Sequence, residues 1–563
     1  MRIFRFLKFT CIILAFFSLR LVESSTFGHK KKHALYLMHT GQARQALSHY
    51  QQMAKKDKMH DFELLQNLSL ILLHQGAKNQ DPLVERLTML GAGLAASTHS
   101  LEILETGLTS ADPQTQLTSL HFICSLQDDR ANELLLKAMS SEFLLTRLEA
   151  AYEMAQRKHA HAVGQIEALM HRLPPMFKPF FPQFFAMMGT SDATIVLKDL
   201  LNDMNIAVRI EAIHSVAQFD RDDLLPLIRK RATHNNIAEQ EACAFVLGKL
   251  KDSSSIPLLK KLKQSPIENV KLAASFSLHL LGDASAKEEI FSSAKNNSLF
   301  AIASLGNIPG GEEILVSLLN NTDIQVRVNA SVSLLSRRDP RAIKGLKEIL
   351  LPDEKDLAFQ PTPSLGKAFL FWRVIPSASQ RTKDPSIDLS LSLSMKEHLL
   401  KESLELKEND FFFLVKMIFD HHQKELIPSL INLLENLQTE KAIALLKDYA
   451  QMAGAPLIRD YCHLALFRLK EDGPYEKYVM NWTLRQNKQD MIKLRPFLPR
   501  NNRLENSQYN LSAEESSRLL IEMYSALAGR QTQKCIEVIV EAMKKGNYKN
   551  RYALAGLLLR ATE

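Results

Sequence analysis

The sequence predicts an all-α protein, namely an α-solenoid (superhelix) of antiparallel helix pairs with a short non-helical insertion. Two facts of composition point to helices: apolar residues make up 46% of the 563 residues, and the chain holds only 20 Gly and 21 Pro. So few turn residues disfavour a β architecture, which needs many tight turns. The third observation is an internal repeat of about 31 residues.

The repeat consists of a small residue with, in most copies, apolar residues four positions before and after it. Such positions lie near one face of a helix, so each copy predicts a helix that approaches its neighbour closely. Between residues 119 and 330 the spacings are 31, 62, 30, 32 and 56, and each long spacing should contain one degenerate unit. The small residues are Ser119, Ala150, Ala212, Ala242, Ala274, Ala330 and Cys462.

These repeats resemble HEAT repeats, in particular the short bacterial HEAT-like repeats. The segments that carry the resemblance are LLNDMNIAVRIEAIHSVAQFD, EQEACAFVLGKLKDSSSIPLLKKL and LLNNTDIQVRVNASVSLLSRRDPRAIKGLKEIL. The resemblance implies a solenoid of HEAT-like helix pairs over 96–351, continued by C-terminal helical repeats over 396–563. It is specific for the fold and implies little about function.

Between residues 119 and 330, a basic residue stands three positions before the small residue in four of the repeats, at Arg147, Arg209, Lys271 and Arg327. In HEAT-like proteins such a column packs against acidic or polar residues of the neighbouring turn. The resemblance therefore implies a structural role for this column, and Asp203 and Asp323 are suitable partners. Phosphate binding is the alternative.

Residues 30–95 are predicted to form helical hairpins of another kind. The segment HALYLMHTGQARQALSHYQQMAKK places Gly41 in a turn and Ala46, Tyr50 and Met53 on one helix face. It resembles one tetratricopeptide-type hairpin, although the proline expected after the second helix is missing. A hairpin that caps the solenoid is the alternative.

Residues 352–395 interrupt the helical pattern with five prolines. Within them, FLFWRVI (369–375) and IDLSLSLS (387–394) have the apolar run or alternation that is typical of strands. We predict an inserted loop with a hairpin, or a linker between two solenoid halves.

Residues 1–24 have the features of a signal peptide. Arg2, Arg5 and Lys8 precede an eleven-residue apolar core, which is short for a membrane span, and cleavage is expected after Ser24. We therefore expect an exported protein, periplasmic, envelope-bound or secreted, with no membrane span once the signal is removed. A buried first helix and an uncleaved anchor are the alternatives.

The cysteines give no sign of a metal or redox site. Beyond the leader, Cys124, Cys243, Cys462 and Cys535 are widely spaced and form no CxxC pair. Because the first three fall on repeat helices at or near the small position, we expect packing residues rather than ligands or disulfides.

The sequence holds no P-loop, HExxH or GxSxG motif, and no His-Glu dipeptide of the kind that binds metal in some HEAT-like enzymes. We therefore predict no catalytic, cofactor-binding or metal-binding residue. The apolar departures from the repeat, PPMFKPFFPQFFAMM (174–188) and the insertion, are candidate partner surfaces, although aromatics there also suit a core. The candidate residues are Phe177, Phe180, Phe181, Phe184, Phe185, Phe371 and Trp372.

The function that follows is a non-enzymatic scaffold that binds protein or peptide partners on a solenoid surface. Two alternatives remain: a nucleic-acid-binding solenoid, and a HEAT-like lyase or metal enzyme. The net charge is +8, or about +5 without the leader, which is mild for a nucleic-acid binder, so no nucleic-acid partner is expected.

Overall fold

A computed structural model describes residues 28–127, 129–351, 357–375, 385–452, 454–486, 492–494 and 515–563. The predicted signal peptide lies outside these ranges. No helix within them is both long and apolar enough to cross a lipid bilayer. The described residues form two compact units: unit 1 takes its residues from 1–150, 466–501 and 505–563, and unit 2 from 151–465.

The described chain is predominantly helical, which confirms the all-α solenoid prediction. The first helices are α1 (28–39), α2 (Ala43–Asp57), α3 (Phe62–Ala77), α4 (Pro82–Ala95), α5 (Leu101–Gly107), α6 (Pro113–Cys124), α7 (Asp129–Ala138), α8 (Leu144–Gln156), α9 (Val163–Arg172), α10 (Phe181–Met188), α11 (Ser191–Leu200), α12 (Ile206–Gln218), α13 (Leu225–Ala232), α14 (Ile237–Lys249) and α15 (Ile256–Leu262). They are followed by α16 (Glu268–Leu280), α17 (Lys287–Lys295), α18 (Leu299–Leu305), α19 (Glu312–Leu318), α20 (Ile324–Ser336), α21 (Ile343–Leu350), α22 (Pro385–Glu402), α23 (Glu408–Asp420), α24 (Ile427–Leu437), α25 (Glu440–Ala450), α26 (Pro456–Arg468), α27 (Tyr475–Gln486), α28 (Glu515–Arg530), α29 (Gln533–Lys545) and α30 (Asn550–Thr562).

The repeats of unit 2 are helix pairs whose second helices carry the small residues. Ala212, Ala242, Ala274 and Ala330 lie on α12, α14, α16 and α20 and are fully buried. The two long spacings do contain further units: α9 and α10 fill the first, and α17 and α18 fill the second. Helix α14 packs side by side with α12 and α16, and a buried alanine on each of these helices is compatible with so close an approach.

Polar caps start three of the second helices. The side chains of Asn205, Asn236 and Asp323 accept hydrogen bonds from the backbone of the first turn of α12, α14 and α20. Each cap satisfies an amide that has no partner within the helix and so fixes where the helix begins.

The basic column is structural, but its partners differ from those expected. The guanidinium of Arg209 donates to the backbone carbonyl of Asp203 at 2.6 Å, and also binds the Glu239 carboxylate. Arg327 likewise donates to Asn321 O at 2.8 Å and pairs with Glu348. Arg209 and Arg327 thus each join a turn carbonyl to a carboxylate of the following helix or helix pair, and their hydrogen bonds go to these groups rather than to the carboxylates of Asp203 and Asp323.

The described part of the insertion contains a β-hairpin. Strands β1 (Ala358–Pro363) and β2 (Leu370–Ile375) pair antiparallel, with Ala358 opposite Ile375. The strand expected at FLFWRVI is therefore present, whereas IDLSLSLS is wrong as a strand: it lies in helix α22. Pro385 occupies the start of that helix, a position that proline favours, and the helical pattern after Lys396 extends back to it.

Unit 1 is built from both ends of the described chain. Helix α30 packs against α4 so closely that a Cβ on Gly556 would lie 1.8 Å from the carbonyl oxygen of Gly91. A Cβ on Gly91 would in turn lie 2.4 Å from the carbonyl oxygen of Tyr552. These glycines let two backbones touch, a contact that joins residues about 460 positions apart and that the repeat alone does not predict.

The cysteines behave as packing residues. Cys124, Cys243, Cys462 and Cys535 are free, and the last three are buried. Burial raises the pKa of the Cys243 and Cys462 thiols, which keeps them protonated and unreactive.

We expect Ala212→Leu or Ala274→Leu to lower the free energy of unfolding by roughly 1–3 kcal/mol, because three added carbons must enter a filled helix contact. Ala207→Leu is the matched control, since Ala207 lies exposed on the same helix α12. Its effect should stay within about 0.5 kcal/mol. Urea unfolding followed by circular dichroism measures both, and equal effects would contradict the assigned register.

Candidate protein-binding face

The hairpin packs on one side of the second helices of unit 2. We call this side the hairpin face. Its contact residues come from five successive second helices, α12, α14, α16, α18 and α20, and are Glu211, His214, Glu241, Phe245, Phe276, Phe300 and Asn329. Since each repeat contributes at least one of them, the regular stack creates a long row of contacts.

Glu241 binds the turn of the hairpin. Its carboxylate accepts hydrogen bonds from the backbone amides of Gly366 at 3.0 Å and Ala368 at 3.2 Å, and from the Ser364 hydroxyl. The residue is fully buried. Because a buried carboxylate is costly unless its oxygens are satisfied, Glu241 and the turn depend on each other.

The turn lies directly on the α14 backbone at Gly366. A Cβ there would lie 2.3 Å from Ala238 O and 2.8 Å from Ala242 N, so only glycine fits. On α12, the Nε2–H of His214 donates to Gly366 O at 2.6 Å, and Glu211 pairs with the ammonium of Lys367.

Aromatic side chains fill the middle of the contact. The ring of Phe369 meets Phe245 and Phe276 edge-on, at centroid distances of 5.9 and 6.0 Å. Two positions further, Phe371 meets Phe300 in the same way at 5.2 Å. Alternate residues of a strand point to one side, so the spacing of Phe369 and Phe371 matches the aromatic positions of successive helices.

Asn329 binds the main chain of strand β2. Its side-chain oxygen accepts from the amide of Trp372 at 2.7 Å, and its side-chain nitrogen donates to the carbonyl of Trp372 at 2.8 Å. Asn329 is 2% exposed and also donates to Gln325 O, which holds the amide in place. Because both hydrogen bonds go to the main chain, this contact recognises an extended backbone and not a particular side chain.

The candidate residues of the aromatic segment lie mainly in the core of unit 2. Phe181, Phe184 and Phe185 are buried on α10, with the Phe184 ring 5.9 Å from Tyr152. Phe177 and Phe180 are half-buried in the preceding 3₁₀ turn, with ring centroids 6.2 Å apart. A role for these five residues in partner binding stays a prediction.

The other two candidates, Phe371 and Trp372, lie on β2 and contact the hairpin face. Phe371 is half-buried and Trp372 is 9% exposed. In this structure they bind the chain's own helices, and their binding of a partner also stays a prediction. Sequence reasoning missed the residues that receive them.

A sequence signal for the hairpin face does exist. Glu211, Glu241 and Asn329 each stand one position before a small residue of the repeat, at Ala212, Ala242 and Ala330. Polar residues in that column, on helices with apolar flanks, mark a side that binds something polar. The pattern therefore indicates which side of the helices binds a ligand. Only the folded structure shows that the hairpin lies there.

A separate concavity, which involves none of the hairpin-face residues, lies in unit 1. It has a volume of about 330 Å³ and is lined by Arg468, Lys470, Arg530 and Arg560, with Ser525, Ala526 and Gly529. The three arginines stand in the last turns of α26, α28 and α30, where cations offset the negative ends of the helices. Arg530 also donates to Phe467 O at 2.6 Å, so helix ends account for this cluster. Within the described ranges, no group of three or more His, Cys, Asp or Glu could hold a metal ion.

The fold and the repeated helix pairs define an α-solenoid protein. The sequence model of HEAT repeats matches residues 194–279, which places α12, α14 and the hairpin-binding Glu211 and Glu241 within HEAT repeats. The chain thus contains a HEAT-repeat solenoid. A sequence comparison with curated proteins found no match.

Several solved structures are similar in fold. The complex of CpcE and CpcF of phycocyanin lyase from Nostoc sp. PCC7120 is 18% identical, covering 42% of this chain and 95% of that chain, with a TM-score of 0.29. The karyopherin Kap121p bound to the extreme C-terminus of the protein phosphatase Cdc14p is 14% identical over 91% of this chain and 63% of that chain, with a TM-score of 0.36. UNC-45 from Drosophila melanogaster is 12% identical over 94% of this chain and 82% of that chain, with a TM-score of 0.32. Likeness at these levels concerns the fold alone.

We expect Asn329→Ala to loosen the hairpin, because two buried main-chain groups of Trp372 lose their partners at a cost of about 1–3 kcal/mol. The chain has two tryptophans, so Trp482→Phe makes Trp372 the sole fluorescent reporter. In that background, Asn329→Ala should shift the emission of Trp372 to the red. The control is Asn320→Ala, an exposed asparagine near the end of the first helix of the same repeat. An unshifted spectrum for Asn329→Ala would contradict the contact.

Proposed function

We propose that this protein is a non-enzymatic scaffold that binds an extended segment of another protein on the hairpin face. The observation that carries the proposal is the pair of hydrogen bonds between Asn329 and the main chain of Trp372. A side chain that binds both the amide and the carbonyl of one strand residue recognises any extended backbone of suitable length.

The chemistry of the hairpin face supports a peptide ligand. Three of its polar groups, Glu241, His214 and Asn329, bind backbone amides or carbonyls, and Phe245, Phe276 and Phe300 lie between them. Hydrogen bonds to the main chain supply affinity, and the aromatic positions supply selectivity.

A nucleic-acid ligand is disfavoured at this face. Glu211 and Glu241 would meet a phosphate backbone with negative charge, and like charges in a partly buried site repel strongly. The same two carboxylates attract a protein segment that offers amide donors or a basic side chain.

Selection of binders from a displayed random-peptide library, with the full chain as bait, tests the proposed function. We expect the affinity of the recovered peptides to fall at least tenfold when Glu241→Gln and Asn329→Ala are added to a bait that already carries Phe369→Ser. Each added change removes hydrogen bonds to a backbone, and the Phe369→Ser change weakens the hairpin as a competitor for the same face. Ile195→Ser is the control, since Ile195 is exposed on a first helix, α11. Binders that depend on Ile195 and ignore Glu241 and Asn329 would overturn the proposal.

We further propose that the scaffold is exported, on the strength of the n-region and apolar core in residues 1–24. The expected mature N-terminus is Ser25, and the expected location is the envelope or the medium. N-terminal sequencing after cell fractionation measures both. A cytosolic protein that retains Met1 would contradict export and leave the binding proposal untouched.

A further inference from the structure

We propose that the hairpin is a tethered occupant of the partner's site. On this reading, which rests on the proposed function, the hairpin face takes a partner segment with glycine, lysine and then aromatic residues two and four positions after the lysine. Residues 364–372 of the chain itself, which have this pattern, hold the place until such a partner displaces them.

The hairpin reaches the face as an intrachain ligand. Its hydrogen-bond partners lie far away in sequence: Ser364 is 123 positions from Glu241, Gly366 is 152 from His214, and Trp372 is 43 from Asn329. Closing a loop of such length costs little more than closing a short one, so a tethered segment can bind without help from the neighbouring chain.

The hairpin depends on the face for its structure. It has two strands of six residues, and an isolated two-stranded hairpin is marginally stable in water. The contacts to the face therefore hold the strands in place. Strand β1 also packs against helix α22, outside the hairpin face, so a competitor has to displace the turn and β2 from the face but not β1 from α22.

The polar contacts favour recognition over simple packing. A buried charge contributes little to stability, since an apolar side chain of similar size commonly serves as well or better. Glu241 is nevertheless fully buried, with both oxygens on the turn. Such a group sets which segment can bind and in what register.

The side-chain contacts define the partner's chemistry. Glu211 pairs with Lys367, so the partner segment should carry a basic residue there. Glycine must precede it, because any Cβ at Gly366 would strike α14. Aromatic residues two and four positions after the lysine reach the rings of Phe245, Phe276 and Phe300, as Phe369 and Phe371 do.

Tethering makes the hairpin a strong competitor. A linked segment acts at an effective concentration in the millimolar range, and the apparent affinity of a free segment falls by the fraction of open sites. Weakening the hairpin should therefore strengthen the binding of a free segment of the same pattern.

The test uses the full chain and a labelled synthetic peptide, SLGKAFLFW, followed by fluorescence anisotropy. The protein variant is Phe369→Ser, which removes the ring between Phe245 and Phe276 from the hairpin and leaves the face unchanged. We expect this variant to bind the peptide at least tenfold more tightly than the unchanged chain. The control peptide carries Lys367→Glu and Phe369→Ser and should bind neither protein.

A second variant with a milder change is the control in case Phe369→Ser impairs folding. Lys367→Ala removes the ion pair with Glu211 and should give a smaller gain of about threefold, in line with a partly buried pair near the surface. Equal peptide binding by the unchanged chain and both variants, or binding by none of them while circular dichroism shows folded helices, would overturn the tethered-occupant proposal. Library binders that still require Asn329 would in that case leave the proposed function standing.

Discussion

The close contact between successive second helices is the constraint on which the rest of unit 2 depends. Ala212, Ala242, Ala274 and Ala330 are fully buried on these helices, and a bulky side chain in their place would hold the helices apart. Once that spacing is set, the residue before each alanine falls on a common side of the stack. The regular packing of the core thereby produces the regular row of side chains that binds the hairpin.

The two ends of that row have different chemistry. At one end, Glu211 and Glu241 offer negative charge to a lysine and to backbone amides. At the other, Asn329 offers a donor and an acceptor to one strand residue. A segment with a turn at the Glu211 and Glu241 end and an extended strand at the Asn329 end therefore fits the face in one direction and one register. That is the property a scaffold needs if it is to select a partner by sequence.

Much of the fold follows from the sequence, because helix contacts within and between adjacent repeats are local. The 31-residue period locates α12, α14, α16 and α20, and its gaps predict the pairs α9–α10 and α17–α18. The hairpin face depends on contacts between residues 43 to 156 positions apart, which no local pattern encodes. Likewise, the contact of Gly91 with Gly556 becomes visible only when both ends of the chain are folded. FLFWRVI shows a strand, but its partner strand, with two prolines at Pro361 and Pro363, lacks a strand pattern.

The most direct measurement is backbone hydrogen exchange at Gly366, Ala368 and Trp372, with and without a saturating peptide that binds the chain. Each of these amides donates to a side chain of the hairpin face, so all three should exchange slowly in the free protein. On addition of the peptide we predict faster exchange at these three amides and unchanged exchange in α12, α14 and α20. Continued protection of the three amides in the complex would contradict the account, because the partner would then lie elsewhere on the molecule.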